Sequence, residues 1–300
     1  MARSTLRLPS WQLFAIAVAI WSTTWHVILY QLAYTSPEVG VTWRFALAGL
    51  LALAVAAWRG DRLRCSGREH ALIAFQGAFM YSLSYLAVYH AEQHVTTGLV
   101  AVGYSASPLV NGLAAHWLWR QPLRRGFVAG GLLCIAGVTL IFWPEFGPSA
   151  AGTAKATGVM FTVAAVLLSS VGSLAASRNA PAGLPFWPAL GWGMLYGAAL
   201  SLLVVLARGQ SPAVPTALAW WASLAYLALA GSVIAFACYL ALQQRVGPGA
   251  ASSVGVMTPV LALAVSAAFE GFRPVLLTWL GAVLAVAGNW LVLRPREPAA

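Results

Sequence analysis

The sequence predicts an all-α polytopic membrane protein: ten transmembrane helices arranged as two inverted five-helix repeats (5+5). Three observations carry that expectation. First, 60% of the 300 residues are hydrophobic and 8% are charged, against about a quarter charged in a soluble domain, so a water-soluble globule is excluded. Second, apolar runs of roughly 20 residues recur along the whole chain, each able to cross about 30 Å of hydrocarbon as a helix. Third, the second half aligns with the first at a single offset.

The runs fall at 11–31, 37–58, 70–90, 95–119, 126–143, 157–178, 186–207, 219–240, 249–269 and 275–293, leaving nothing for a separate soluble domain. Arg3 and Arg7 ahead of the first run imitate a signal peptide. That run, however, continues through bulky Trp21, Trp25 and Tyr30 without a small-residue cleavage site, so it reads as a retained span.

With a cytoplasmic N-terminus, 13 basic residues fall in cytoplasmic segments: Arg3, Arg7, Arg59, Arg62, Arg64, Arg68, Arg120, Arg124, Arg125, Arg178, Arg245, Arg294 and Arg296. Outer loops hold three, Lys155, Arg208 and Arg273, and Arg44 alone lies inside a span. This positive-inside bias places both termini in the cytoplasm, in a bacterial inner membrane. It also accounts for the net charge of +10 by orientation and anionic headgroups, so no nucleic-acid partner is expected. Cys65, Cys134 and Cys238 are too scattered for a disulfide framework or a zinc site.

An offset of 151 residues, the separation of Pro108 and Pro259, also aligns Val95 with Val246, Gly98 with Gly249, Gly130 with Gly281 and Gly137 with Gly288. "VTTGLVAVGYSASPLV" thus stands over "VGPGAASSVGVMTPVL", and "GGLLCIAGVTLIF" over "GAVLAVAGNWLVL". Five spans per unit is an odd number, so the second copy (148–300) must enter the bilayer upside down relative to the first (1–147). Such inverted repeats suit alternating access, because two similar halves can exchange shapes at small cost in energy.

These phrases, with "WRFALAGLLAL" in the second span and "FEGFRP" before the last, resemble the EamA-type members of the drug/metabolite transporter superfamily over essentially the whole chain. Overall likeness is greatest to the YddG-type exporters of aromatic amino acids. The resemblance implies ten spans in two repeats, export of a small-molecule substrate, and no cofactor. At "WLWRQPLRR" the chain departs from the Gly-Glu pair that many relatives place at the end of the fourth span.

Polar side chains within spans should face a cavity or another helix rather than lipid. Tyr81, Tyr85 and Tyr89, four residues apart, form a slanted stripe on one helical face. Trp21 and Trp25 repeat that spacing with Ser22, Thr23 and Thr24 between them. Tyr104 and Asn111 in the fourth span, Ser169, Ser170 and Ser173 in the sixth, and Tyr239 in the eighth complete the polar and aromatic inventory. The expected substrate cavity is lined by Trp21, Trp25, Tyr81, Tyr85, Tyr104, Asn111, Ser169, Ser173 and Tyr239. It suits a flat apolar solute with a small zwitterionic end, although amphipathic drugs also fit such a lining. The serines could instead serve close helix packing, as could Gly126 with Gly130 and Gly193 with Gly197. Other tryptophans, Trp187 and Trp220 among them, read as interface anchors or packing groups. Arg44 could meet a substrate carboxylate, or could snorkel or pair with a loop carbonyl or Glu38.

Pro108 leaves the carbonyl of Tyr104 without its usual donor, and Pro259 does the same to Gly255. Lipid cannot satisfy those carbonyls, so paired helix bends beside the cavity are expected.

Every Asp and Glu falls at a span end, in a loop or in a tail, which leaves His26 and His90 as possible proton carriers and favours uncoupled movement down a gradient. There is no P-loop lysine signature, and "GYSAS" lacks the second glycine of a nucleophile elbow. "HAEQH" places His90 and His94 a turn apart, but no third metal ligand is evident. The expectation is therefore a monomeric carrier in lipid, without enzyme activity, metal or cofactor. A multidrug or other metabolite exporter, moving nucleosides or cationic drugs, is the alternative, and a membrane-embedded hydrolase the remotest one.

Overall fold

Helix starts are set by local chemistry. Ser36 caps the second helix by accepting from the Val39 amide (3.5 Å), with Pro37 in the first turn, where a missing amide hydrogen costs nothing. Ser66 forms a reciprocal capping box with Glu69, whose carboxylate accepts from the Ser66 amide (2.6 Å) and from Arg62 (2.6 Å). The computed structural model describes residues 6–95, 97–141, 143, 152–180, 183–269 and 275–294. The stretch 270–274, and with it the acidic end of "FEGFRP" and Arg273, lies outside them, as do Arg3 and Arg296.

The described residues are helical, without strands. In chain order the helices are α1 (Ser10–Leu32), α2 (Pro37–Trp58), α3 (Gly67–Glu92), α4 (Thr97–Tyr104), α5 (Ser107–Trp119), α6 (Arg125–Ile141), α7 (Gly152–Asn179), α8 (Phe186–Ala207), α9 (Leu218–Val246), α10 (Pro248–Ala251), α11 (Val254–Phe269) and α12 (Leu276–Leu293). Seven of them, α1, α2, α3, α7, α8, α9 and α12, hold segments long and apolar enough to cross a membrane. The apolar helix α6 is shorter, and the predicted runs 95–119 and 249–269 are each broken into two helices.

The breaks do not fall at equivalent places. In the first copy the chain turns at Ser105 and Ala106, with Pro108 in the first turn of α5. In the second it turns at Ser252 and Ser253, while Pro259 lies within the continuous helix α11. Gly247, at φ +84°, allows the abrupt passage from α9 into α10.

Two helices contain a π-helical turn, Ala78–Leu83 in α3 and Leu229–Ile234 in α9. These segments sit at the repeat offset, since Ala78 and Leu229 are as far apart as Pro108 and Pro259. Apolar periodicity at 3.6 residues per turn gives no sign of them. They matter because a π turn takes an extra residue and rotates every later side chain relative to a regular helix.

The helices α6 and α12 meet at backbone distance. A Cβ on Gly130 would stand 2.6 Å from the Gly288 carbonyl oxygen, and one on Gly137 would stand 2.6 Å from that of Gly281. The pairing runs antiparallel, and each contact is the counterpart of the other under the repeat offset. Gly126, expected to share this packing, faces open space. Two tryptophans read as interface anchors or packing groups, Trp187 and Trp220, are buried; Trp220 is 0% exposed and donates to Thr35 Oγ1 (3.2 Å), whereas Trp117 is 90% exposed. A span that is apolar all round does not announce which side meets protein.

Candidate functional site

Residues of α1, α2 and α7, of α3 from its π turn onward, of α9 just beyond its π turn, and of the helices beside the two breaks surround one cavity. Its volume is about 120 Å³, on the scale of the roughly 150 Å³ that accommodates a benzene ring in a protein core. Trp21, Trp25, Tyr85, Tyr104, Asn111, Ser169, Ser173 and Tyr239 all line it. Tyr81 does not: it is fully buried behind Phe236, with ring centroids 5.0 Å apart at 88°. It lies inside the π turn of α3, which takes it off the face that a regular helix would share with Tyr85. Tyr89, the third of the stripe, donates to Gln31 Oε1 (2.8 Å) at the far end of the same helix.

The aromatic walls meet edge to face. Trp21 packs against Phe236 (5.1 Å, 72°) and Tyr239 (5.4 Å), Trp25 against Tyr104 (5.6 Å, 71°), and Tyr85 against Phe45 (4.7 Å, 74°). Phe236 and Thr258, which the sequence did not single out, also line the cavity, as does Ser107 beside Pro108. The signal for them was present in the repeat: Phe236 stands opposite Tyr85, Thr258 opposite Ser107, Tyr239 opposite Val88 and Gly255 opposite Tyr104 at the same offset, and all eight line the cavity.

Three polar atoms in the wall are buried without a partner among the described residues: Trp25 Nε1, Ser107 Oγ and Asn111 Oδ1. Buried polar atoms normally have one, so a wall with unused donors and acceptors is arranged for a solute or for water.

Below the aromatic belt a polar chain crosses between helices. Asn111 Nδ2 donates to Ser252 Oγ, which lies 3.3 Å from the Tyr239 hydroxyl; that hydroxyl lies 3.0 Å from Ser173 Oγ. Gln243 Nε2 then donates to the Ser173 hydroxyl (2.7 Å) and carbonyl (2.8 Å) and to Ser177 Oγ (2.9 Å). Beyond Gln243 lies a second, more polar cavity of about 360 Å³ that includes Gln76, Gln121, Ser177, Asn179 and Gln244. Ser173 belongs to the first cavity and Gln243 to the second, so this contact is the wall between them.

The opposite end is tied by ions. Glu38, 1% exposed, accepts from Arg208 (2.6 Å) and lies 2.9 Å from His90 Nε2. His90 and His94 stack against Phe161 at 5.1 and 6.3 Å. Arg44, which the sequence left between the surface and the interior, is 1% exposed and lines the aromatic cavity.

A helical membrane chain built round an aromatic cavity with buried polar groups in its wall fits the class of membrane transporters. Comparison makes the assignment specific: the EamA-like transporter family matches residues 9–143 and 156–294, and the chain belongs to that family. An uncharacterized transporter of Archaeoglobus fulgidus is 24% identical over 174 residues, which is 58% of this chain and 61% of that protein, somewhat under two thirds of its length. A protein of known crystal structure shares the fold at a TM-score of 0.75 and 21% identity, over 94% of this chain and 95% of the other.

Proposed function

We propose that this chain exports neutral amino acids, aromatic ones foremost, and related small metabolites across the bacterial inner membrane. It does so as a monomer, by alternating access through the cavity between two inverted five-helix repeats, 1–147 and 148–300. Both termini face the cytoplasm, and the likeness to YddG-type exporters belongs to this reading. The observation that carries it is the cavity itself, with aromatic faces around unpaired Trp25, Ser107 and Asn111 atoms. Flat side chains can stack there, and a small polar end finds both a donor and acceptors.

The symmetric contacts of Gly130 with Gly288 and Gly137 with Gly281, and the matched π turns, support the inverted layout of ten spans. In that orientation the Gln243 cavity opens toward the cytoplasm, and Gln243–Ser173 is the inner gate. The Glu38–Arg208–His90 cluster closes the outer end. Opening either side exchanges these local bonds for those of the other state.

Transport is uncoupled in this reading. Glu38 is held in an ion pair, and Glu92, whose carboxylate oxygens are buried without a partner among the described residues, is the group to test for coupling. The deciding experiment is uptake into vesicles containing the purified protein, with a panel of amino acids, nucleosides and cationic drugs. Phenylalanine moves down its gradient in the expected result. Movement of neither phenylalanine nor threonine-sized neutral amino acids would sink the amino-acid reading. Accumulation driven by an imposed pH difference, and lost in Glu92→Gln, would replace uncoupled transport with proton coupling.

A further inference from the structure

Arg44 is a cation sealed inside the protein. Its Nε donates to Ser232 Oγ (3.0 Å), one Nη to the Tyr89 hydroxyl (3.4 Å) and the other Nη to the Gly231 carbonyl (3.4 Å). The guanidinium carbon lies 4.7 Å from the centre of the Tyr85 ring, in the cavity wall. Every one of these partners is neutral. Among the described residues no carboxylate lies within ion-pair distance of Arg44: Glu38, the nearest acid on its own helix, is bound to Arg208 and His90, and the buried Glu92 carboxylate attracts Arg44 only from a longer range, with no hydrogen bond between them. The snorkelling alternative fails, because the head group turns inward to residues of α9 rather than outward to solvent.

A buried charge is stable only when paired or well bonded, and two of the three contacts are long. A guanidinium carries five donors in a planar fork that fits a carboxylate with two parallel bonds. We propose that Arg44 is the carboxylate-binding group of the cavity, so that the solutes this chain accepts are monocarboxylates with an apolar or aromatic body rather than amines. The aromatic belt beside Arg44 receives the body, and the fork receives the charged end. The position at the repeat offset is Leu195, which packs on Gly49. The two halves therefore supply one anion site between them, and one carboxylate fills the cavity. Cationic drugs, the alternative substrates, would meet a fixed positive charge in the cavity wall.

This rests on the cavity being the solute site, and the test separates the two ideas. Equilibrium dialysis of radiolabelled compounds against the purified full-length protein compares L-phenylalanine and 3-phenylpropionate, which carry a carboxylate, with L-phenylalaninamide and phenethylamine, which do not. The carboxylates bind at least about 10-fold tighter in the expected result. Arg44→Gln reduces that preference to within about 2-fold, and Arg44→Lys, which keeps the charge but not the fork, falls between. Equal binding of all four compounds to the unaltered protein overturns the proposal without any variant. So does a preference that survives in Arg44→Gln eluting as a single species. If 3-phenylpropionate binds in an Arg44-dependent way and L-phenylalanine does not, the anion site stands and the amino-acid reading falls. If L-phenylalanine and its amide bind alike, the carboxylate anchor falls and the amino-acid reading survives.

Discussion

The α6–α12 seam and the central cavity are made from the same apolar alphabet, yet they differ in nearly every physical respect. The seam uses regular helices whose glycines let backbones touch, and its contacts repeat themselves under the internal symmetry. The cavity is lined by residues in or just beyond the π turns and beside the helix breaks, and its most polar group, Arg44, has only a leucine at the matching position. The difference teaches where the two copies must stay alike and where they are free to diverge. Close packing between the copies constrains both partners, whereas a solute site needs only one charge.

The largest expected effect comes from breaking the seam. A Cβ at Gly137 would stand 2.5 Å from the Ala285 amide and 2.6 Å from the Gly281 carbonyl, atoms that move only if a whole helix moves. Gly137→Leu should cost upwards of about 3 kcal/mol and leave little protein eluting as a single folded species. Gln243→Ala removes the donor that ties α9 to Ser173 and Ser177, a loss of about 1 to 2 kcal/mol. Its sharper readout is access. In a Cys65→Ser background, a Ser173→Cys thiol should react several-fold faster with a membrane-impermeant reagent added on the Gln244 side once Gln243 is alanine; an unchanged rate argues against the gate.

Phe236→Leu tests the aromatic belt, since Phe236 touches Trp21, Tyr81 and Tyr85. Loss of edge contacts worth about 1 kcal/mol predicts aromatic solutes binding about 5-fold more weakly, with aliphatic ones little changed, by the same dialysis assay. The smallest effect is expected one turn from the seam. Gly126→Ala meets nothing within 4 Å and should change the free energy of unfolding by less than about 0.5 kcal/mol, or raise it slightly through helix propensity. A loss there as large as at Gly137 would mean that the seam extends further along α6 than the close contacts indicate.

Apolar runs and arginine placement located the helical segments, because bilayer thickness and desolvation of charge act on composition directly. The repeat was legible for the same reason: glycines that let backbones touch at a seam leave few substitutes. What the sequence did not disclose depends on rotation about helix axes. A strict 3.6-residue extrapolation put Tyr81 beside Tyr85, and the π turn separates them. Trp220 and Trp221 are neighbours of one chemistry, yet one is sealed and the other 46% exposed, which only the packing of α9 against α1 and α2 decides. The break at Ser252–Ser253, where two hydroxyls satisfy local carbonyls and let the helix restart, was not foreseen; the bend expected at Pro259 concerns a position inside α11. Arg44 could be read either way until its partners on α9 were seen.

Those partners include a main-chain atom. The Gly231 carbonyl, inside the π turn of α9, accepts from the Trp21 indole (3.0 Å) and from Arg44 (3.4 Å), so three helices converge on an oxygen that belongs to no side chain. Alanine scanning, which trims side chains and keeps peptide groups, would score position 231 only for the methyl it adds against Thr24 and never for the acceptor it carries. This junction behind Arg44 is therefore one that conventional mutagenesis cannot delete, and replacing that peptide bond by an ester is the way to weigh it.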